Sequence, residues 1–287
     1  MKPTTGAPAE PFFLKADGGQ RFCLYHPPAG PARGTLLYVH PFAEELNRAR
    51  RMAALQARAF AAAGHAVLQI DLAGCGDSSG DFGDARWELW KADLALAAAW
   101  LRERTDAPLR LWGLRLGALL ALDYARAATH PVAGMLLWQP VLKGSTYLTQ
   151  FLRLRLAGAL LADGDAGPGV NTSALRTALQ NGETLEIAGY DLDPRLAAAL
   201  DALDPLDAFR PPCPVDWIEA VAQLGANRVP GAAPGAARTA AAWQAAGIDL
   251  RLHPVHSAPF WTTTEITESA AWLDAGTAAL EAQLHGH

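Results

Sequence analysis

The sequence predicts an α/β fold: a mostly parallel, doubly wound sheet with an inserted helical cap. Three observations lead there. Strand-like and helix-like segments alternate from Gly34 onward, the strand-like segments are near-continuous apolar runs, and the alternation lapses once, between Lys143 and Arg210. Apolar strands alternating with helices call for a parallel sheet covered on both faces and joined by right-handed crossovers.

Each element has its own signal. Gly34 to His40 is a short β-rich run after the turn-forming Pro31-Ala-Arg-Gly34. From Asn47 to Ala63, Met52, Leu55, Ala59 and Ala63 recur at helical spacing, and Gly64 stands where a left-handed cap is wanted. His65 to Asp71 reads as the next strand and ends in a Gly-rich loop. Trp87, Trp90, Leu94, Ala97 and Leu101 then define a helix face, with Asp84 as the expected cap. A strand over Leu109–Gly113, a helix over Leu116–Ala128 and a strand over Gly134–Gln139 continue the pattern. The irregular stretch contains an apolar helix from Tyr147 to Ala162, a loop from Asp163 to Gly169, a strand from Thr184 to Tyr190 and a helix from Arg195 to Leu203. Residues 143–210 are therefore the expected cap, and 1–142 with 211–287 the core. The pattern resumes with a strand over Pro214–Glu219, a helix over Ala236–Ala246, a strand over Ile248–Leu252 and a helix over Thr262–Leu273.

Composition removes several function classes. Hydrophobic residues are 51% of the 287 and charged residues 18%, which is a folding composition rather than a disordered one. A formal charge of −5 argues against a phosphate backbone or an anionic membrane as the main partner. Cys23, Cys75 and Cys213 are odd in number and far apart, so neither a disulfide framework nor a zinc site is suggested, and the cytoplasm is the expected compartment. The N-terminus lacks the apolar run of ~7–15 residues of a secretory signal. No stretch approaches the ~20 apolar residues of a membrane span. No cofactor is implied, because Gly74, Gly76 and Gly80 miss the dinucleotide-binding spacing and do not open a helix.

In such sheets ligands bind beyond the carboxyl ends of the strands, which here means His40–Glu45, Asp71–Gly80, Gly113–Gly117, Gln139–Lys143, Glu219 and His253–Trp261. Gly113-Leu-Arg115-Leu-Gly117 lies between a strand and a helix with no room for a loop, the setting of the G-x-S-x-G nucleophile elbow, with arginine where serine would stand. A guanidinium is permanently protonated and cannot attack, but its five donors suit a carboxylate or phosphate. Arg115 thus holds an anion or pairs with a nearby acid, and the N–H of Leu116 is placed for an oxyanion hole. The literal Gly76-Asp-Ser78-Ser-Gly80 has no strand directly before it and no helix directly after it, so Ser78 and Ser79 are expected to be loop residues. Cys75 belongs to the same loop, as a pocket thiol or a buried filler.

His256 follows the last strand, where the hydrolase template places its histidine, and Glu219 ends the preceding strand as the acid that would orient it. Each also reads as an ordinary strand-end group. His40, Phe42, Glu44 and Glu45 occupy the loop that supplies the other oxyanion donor, as a polar pocket wall or as the acidic start of a helix.

These residues resemble the α/β-hydrolase superfamily across nearly the whole chain. Pro41-Phe-Ala-Glu-Glu-Leu-Asn-Arg-Ala-Arg-Arg-Met52, Asp71-Leu-Ala-Gly-Cys-Gly-Asp-Ser78, Gly113-Leu-Arg-Leu-Gly-Ala118 and Pro259-Phe-Trp261 resemble the exosortase A system-associated hydrolase, type 2. The resemblance implies a cytosolic protein linked to exosortase and exopolysaccharide functions, with proteins of that system as partners, and an elbow that also reads arginine. Where that family often has Gly-Pro-Pro-Phe-Trp, this chain has His256-Ser-Ala-Pro-Phe-Trp. The expected functions are a hydrolase of an ester, thioester or related acyl bond, an inactive relative binding an anionic metabolite, or a scaffold for protein contacts.

Overall fold

A computed structural model describes residues 7–163, 171–221 and 232–285. Eight strands form one sheet: β1 (Glu10–Ala16), β2 (Gly19–His26), β3 (Gly34–Val39), β4 (His65–Ile70), β5 (Leu109–Leu114), β6 (Gly134–Trp138), β9 (Val215–Val221) and β10 (Leu250–His256), in the spatial order β1-β2-β4-β3-β5-β6-β9-β10. The β1–β2 and β2–β4 pairs are antiparallel, and every pair from β4 to β10 is parallel. The helices are α1 (Glu44–Ala62), α2 (Trp87–Arg102), α3 (Leu116–Ala127), α4 (Gly144–Asp163), α5 (Thr172–Gln180), α6 (Pro194–Ala202), α7 (Pro234–Ala245) and α8 (Ala270–His285).

The inner strands look uniformly apolar, yet alternate residues serve different layers. Leu37, Val39, Leu111, Leu137 and Trp217 pack toward α2, α3 and α7, while Leu36, Tyr38, Trp112, Leu136 and Trp138 pack toward α1 and α8. The period of two in side-chain direction thus builds two cores from one sheet. Between β6 and β9 lie α4, α5, a hairpin of β7 (Leu185–Ile187) and β8 (Tyr190–Leu192), and α6. Tyr147, Leu148, Phe151, Leu196 and Leu200 of this segment join the α2/α3 core.

Several expectations change. Thr184–Tyr190 is two strands, because Ala188 and Gly189 both take positive φ and turn the chain. Asp84 does not cap α2; it closes a 3-10 turn, Phe82–Asp84, in a reciprocal box with Asp81, and α2 starts after Arg86 without a side-chain cap. The final helix begins at Ala270, not Thr262. Thr263 and Thr267 bond local oxygens before it, the competition with helix expected of hydroxyl side chains. The β1–β2 hairpin and α5 had no expectation. The loop 163–169 lies almost wholly outside the described residues. No helix of the described residues is long and apolar enough to cross a membrane.

Candidate active site

Arg115 alone connects β5 to α3, at φ 56 and ψ −119. A side chain held there costs about 1–3 kcal/mol, so its surroundings must enforce it. Its N–H donates to the Trp138 carbonyl at 2.9 Å, and its own carbonyl accepts from Ala118 N at 3.1 Å and Val141 N at 3.4 Å. The flanking glycines are sterically required. A Cβ on Gly113 would lie 2.6 Å from the Ala118 Cα, and one on Gly117 would overlap the carbonyl oxygens of Val39 and His40. The G-x-R-x-G segment therefore makes the sharp bend its spacing predicts.

The Arg115 side chain, 17% exposed, donates from Nε to Oε1 of Glu45 at 3.2 Å. The other Glu45 oxygen accepts from the Tyr147 hydroxyl at 3.1 Å, so a residue of α4 is tied to the elbow through a carboxylate on α1. The guanidinium carbon lies 5.6 Å from the ring centre of Tyr147 and 5.6 Å from that of Trp261, within cation–π range of both. Burial raises the Glu45 carboxyl above its usual range, opposed by Arg115 and Tyr147. Burial and the adjacent Glu45 push the Tyr147 phenol well up, keeping it a donor. The terminal nitrogens of Arg115 have no hydrogen-bond partner among the described residues.

Arg115 forms part of the wall of a cavity of about 470 Å³, together with Gln139, Lys143, Tyr147, Glu219 and Arg238. Gln139 follows β6 with φ 42, and its Oε1 accepts from Ala220 N at 2.7 Å, bracing β6 against β9. Glu219 is buried within β9, and its Oε2 accepts from Trp217 Nε1 at 2.8 Å. Burial raises its carboxyl, with Trp217, Gln139 and the charge of Arg115 acting against the rise.

The sequence model of the family described as serine aminopeptidase, S33, matches residues 30–196, more than half of the chain. The chain belongs to this family. No curated protein matches it. Est1E from Butyrivibrio proteoclasticus with ferulic acid bound aligns at TM-score 0.65 and 12% identity over 95% of this chain and 99% of that one. A soluble variant of monoglyceride lipase from Saccharomyces cerevisiae, in complex with a substrate analogue, aligns at 0.64 and 15% over 99% and 96%. A highly thermostable carboxyl esterase from Bacillus coagulans, in complex with glycerol, aligns at 0.62 and 15% over 97% and 99%. The fold is that of the α/β-hydrolases.

Within this S33-family fold the three expected catalytic residues separate. Arg115 and Glu219 share a cavity wall, whereas His256 is not part of it. His256 is the last residue of β10 rather than a residue beyond it; it is exposed, with Nδ1 3.3 Å from the Val221 carbonyl. It pairs in register with Val221, two positions past Glu219, whose carboxylate is held by Trp217. No nucleophile–histidine–acid relay is assembled from these residues.

The expected binding residues also divide. Leu116 opens α3, where its N–H has no acceptor within the helix. His40 Nε2 accepts from Leu72 N at 3.2 Å, which leaves Nδ1 to donate to the Pro41 carbonyl at 2.7 Å; burial lowers its pKa. It clasps two strand-end loops as a neutral ring. Phe42 is a core residue, edge-on to Phe82, Tyr147 and Phe151. Glu44 is half-buried, with its Oε2 enclosed and unpartnered among the described residues. Cys75 is buried and its thiol is pushed up by desolvation, the opposite of an activated nucleophile. Ser78 donates to the Asp71 carbonyl at 2.5 Å and accepts from Phe22 N at 2.9 Å, and Ser79 accepts from Gln20 N. Both hydroxyls brace β2 against the Gly-rich loop.

Gln139, Lys143 and Trp261 fall in stretches just beyond strands, where the strand-tip rule places chemistry, whereas Tyr147 and Arg238 lie outside every such stretch. Trp261 also ends one of the blocks that carry the family resemblance. Tyr147 and Arg238 have no local motif, since folding alone brings α4 and α7 to the elbow.

Proposed function

We propose that the protein hydrolyses an acyl bond, ester or thioester, in a substrate that Arg115 holds by charge, and that it acts in the cytoplasm beside an exosortase A system. The observation that carries this reading is the shared cavity wall of Arg115 and Glu219 at the strand tips. Glu219 takes a proton from water as the water oxygen bonds to the acyl carbon. Arg115 and the Leu116 N–H stabilise the oxyanion that forms. Collapse breaks the bond to the leaving alcohol or thiol, which receives the proton from Glu219. Residues 143–210 act as the cap over this cavity, with Tyr147 as its contact to the elbow. The resemblance of four sequence blocks to the exosortase A system-associated type 2 hydrolases supports the link, and envelope-assembly proteins of that system are the partner class.

Hydrolysis of activated short-chain esters and thioesters tests the reading. Arg115→Ala and Glu219→Gln should each lower the rate by about 100-fold or more, and His256→Ala should leave it unchanged. A rate insensitive to the first two substitutions contradicts the mechanism. A second reading, binding of an anionic metabolite without turnover, is favoured by one observation: no serine, cysteine or histidine is among the described residues lining the cavity. It predicts thermal stabilisation by small carboxylates, lost in Arg115→Ala, with no hydrolysis of any ester.

A further inference from the structure

The cavity has two cationic levels. Arg115 is mostly enclosed at the elbow, whereas Lys143, just after β6, and Arg238, in the first turns of α7, are exposed residues of the same wall. Several arginines elsewhere pair with an acid, as Arg50 does with Asp71, Arg86 with Asp193 and Arg251 with Asp216, while others stand on open surface. Lys143 and Arg238 have no such acid among the described residues, although Asp207 lines the same cavity. In a chain of net charge −5, a cavity wall on which Arg115, Lys143 and Arg238 outnumber the acids Asp207 and Glu219 marks a place for negative charge.

We infer that the ligand of this cavity is a small dianion: one anionic group meets Arg115 at the elbow, and a second, carboxylate or phosphate, meets Lys143 and Arg238 at the rim. This rests on the proposed use of Arg115 as the anion holder and adds the substrate class. A volume of about 470 Å³ holds a short acyl chain with a charged group at each end. A long uncharged acyl tail is disfavoured by the same wall, where Lys143, Thr146, Gln150 and Arg238 would be desolvated without partners.

Calorimetric titration of the full-length protein with butyrate, succinate and phosphonopropionate, three probes of similar length, tests the inference. Succinate should bind about tenfold tighter than butyrate at low salt, with the advantage shrinking as ionic strength rises. The double variant Lys143→Ala/Arg238→Ala should bring succinate down to the affinity of butyrate. Phosphonopropionate binding above succinate assigns phosphate to the rim, and parity assigns carboxylate. Equal affinities for butyrate and succinate, a preference that survives the double variant, or no binding by any probe overturns the inference. Dianion preference in a protein that hydrolyses no ester would sink the hydrolase reading alone.

Discussion

Arg115 differs from a serine at the same bend in that its charge is permanent, so its surroundings must supply an anion on one side and leave donors free on the other. Glu45 fills the first role. Both groups are largely enclosed, so Glu45→Ala strands a cation and should cost about 3 kcal/mol in denaturant unfolding, against about 1 kcal/mol for Tyr147→Phe, which removes only a hydroxyl bond. The proton acceptor gives a second prediction. Because burial raises the Glu219 carboxyl, activity should climb with pH through a titration above the ordinary glutamate value of 4.5 and then level. The same raised pKa implies stability that is complete below 4.5 and lost as pH rises through the folded-state value. A rate limb that disappears in His256→Ala would assign the base elsewhere. At this scale the sequence was half legible: Arg115 is readable from its flanking glycines, but its partner Tyr147 is remote in the chain and carries no spacing signal.

The elbow works as a unit of strand end, bend and helix start, and its tolerance is set by backbone approach rather than by side chains. Gly117→Ala would press a methyl on the carbonyls of Val39 and His40 and should destabilise by about 2–3 kcal/mol, measurable as a lowered urea midpoint with unchanged slope. Restoring serine should not restore a serine hydrolase. With His256 exposed at the end of β10 and outside the cavity wall, Arg115→Ser has no histidine to relay its proton and should show no burst of acyl-enzyme. The parallel strands and their helices were legible because apolar runs and 3.6-residue periodicity coincide in β3 through α3. The start of α8 was not: Thr262 to Ser269 keeps enough spaced apolar residues to suggest a helix, while its hydroxyls bond local backbone instead. The β1–β2 hairpin gave no signal to a reading based on apolar runs, because Glu10, Pro11 and Lys15 interrupt β1 and Gln20, Arg21 and His26 interrupt β2.

Across the whole molecule, the candidate site lies at the carboxyl edge of the sheet, while the opposite edge holds a buried polar network. Asp216 accepts from Gln283 at 2.6 Å and from Arg251 at 3.1 Å and bonds His253 at 2.6 Å, fastening α8 to β9 and β10. His65, nearby on β4, is fully buried, and desolvation lowers its pKa to about 4. Its lowered value contributes stability above pH 6.5 that is lost as pH falls toward 4, so the melting temperature should drop across that window, and less steeply in His65→Phe. The separation of a stabilising edge from the edge that carries the candidate site follows from the topology of a parallel sheet, whose strand tips all open on one side. The claim on which the functional account turns is that the free donors of Arg115 receive an anion. Nitrogen NMR of the arginine side chains during titration with butyrate measures this directly. The account predicts that the Arg115 terminal nitrogens shift saturably while its Nε stays paired with Glu45; shifts confined to other arginines, with Arg115 unchanged, would contradict it.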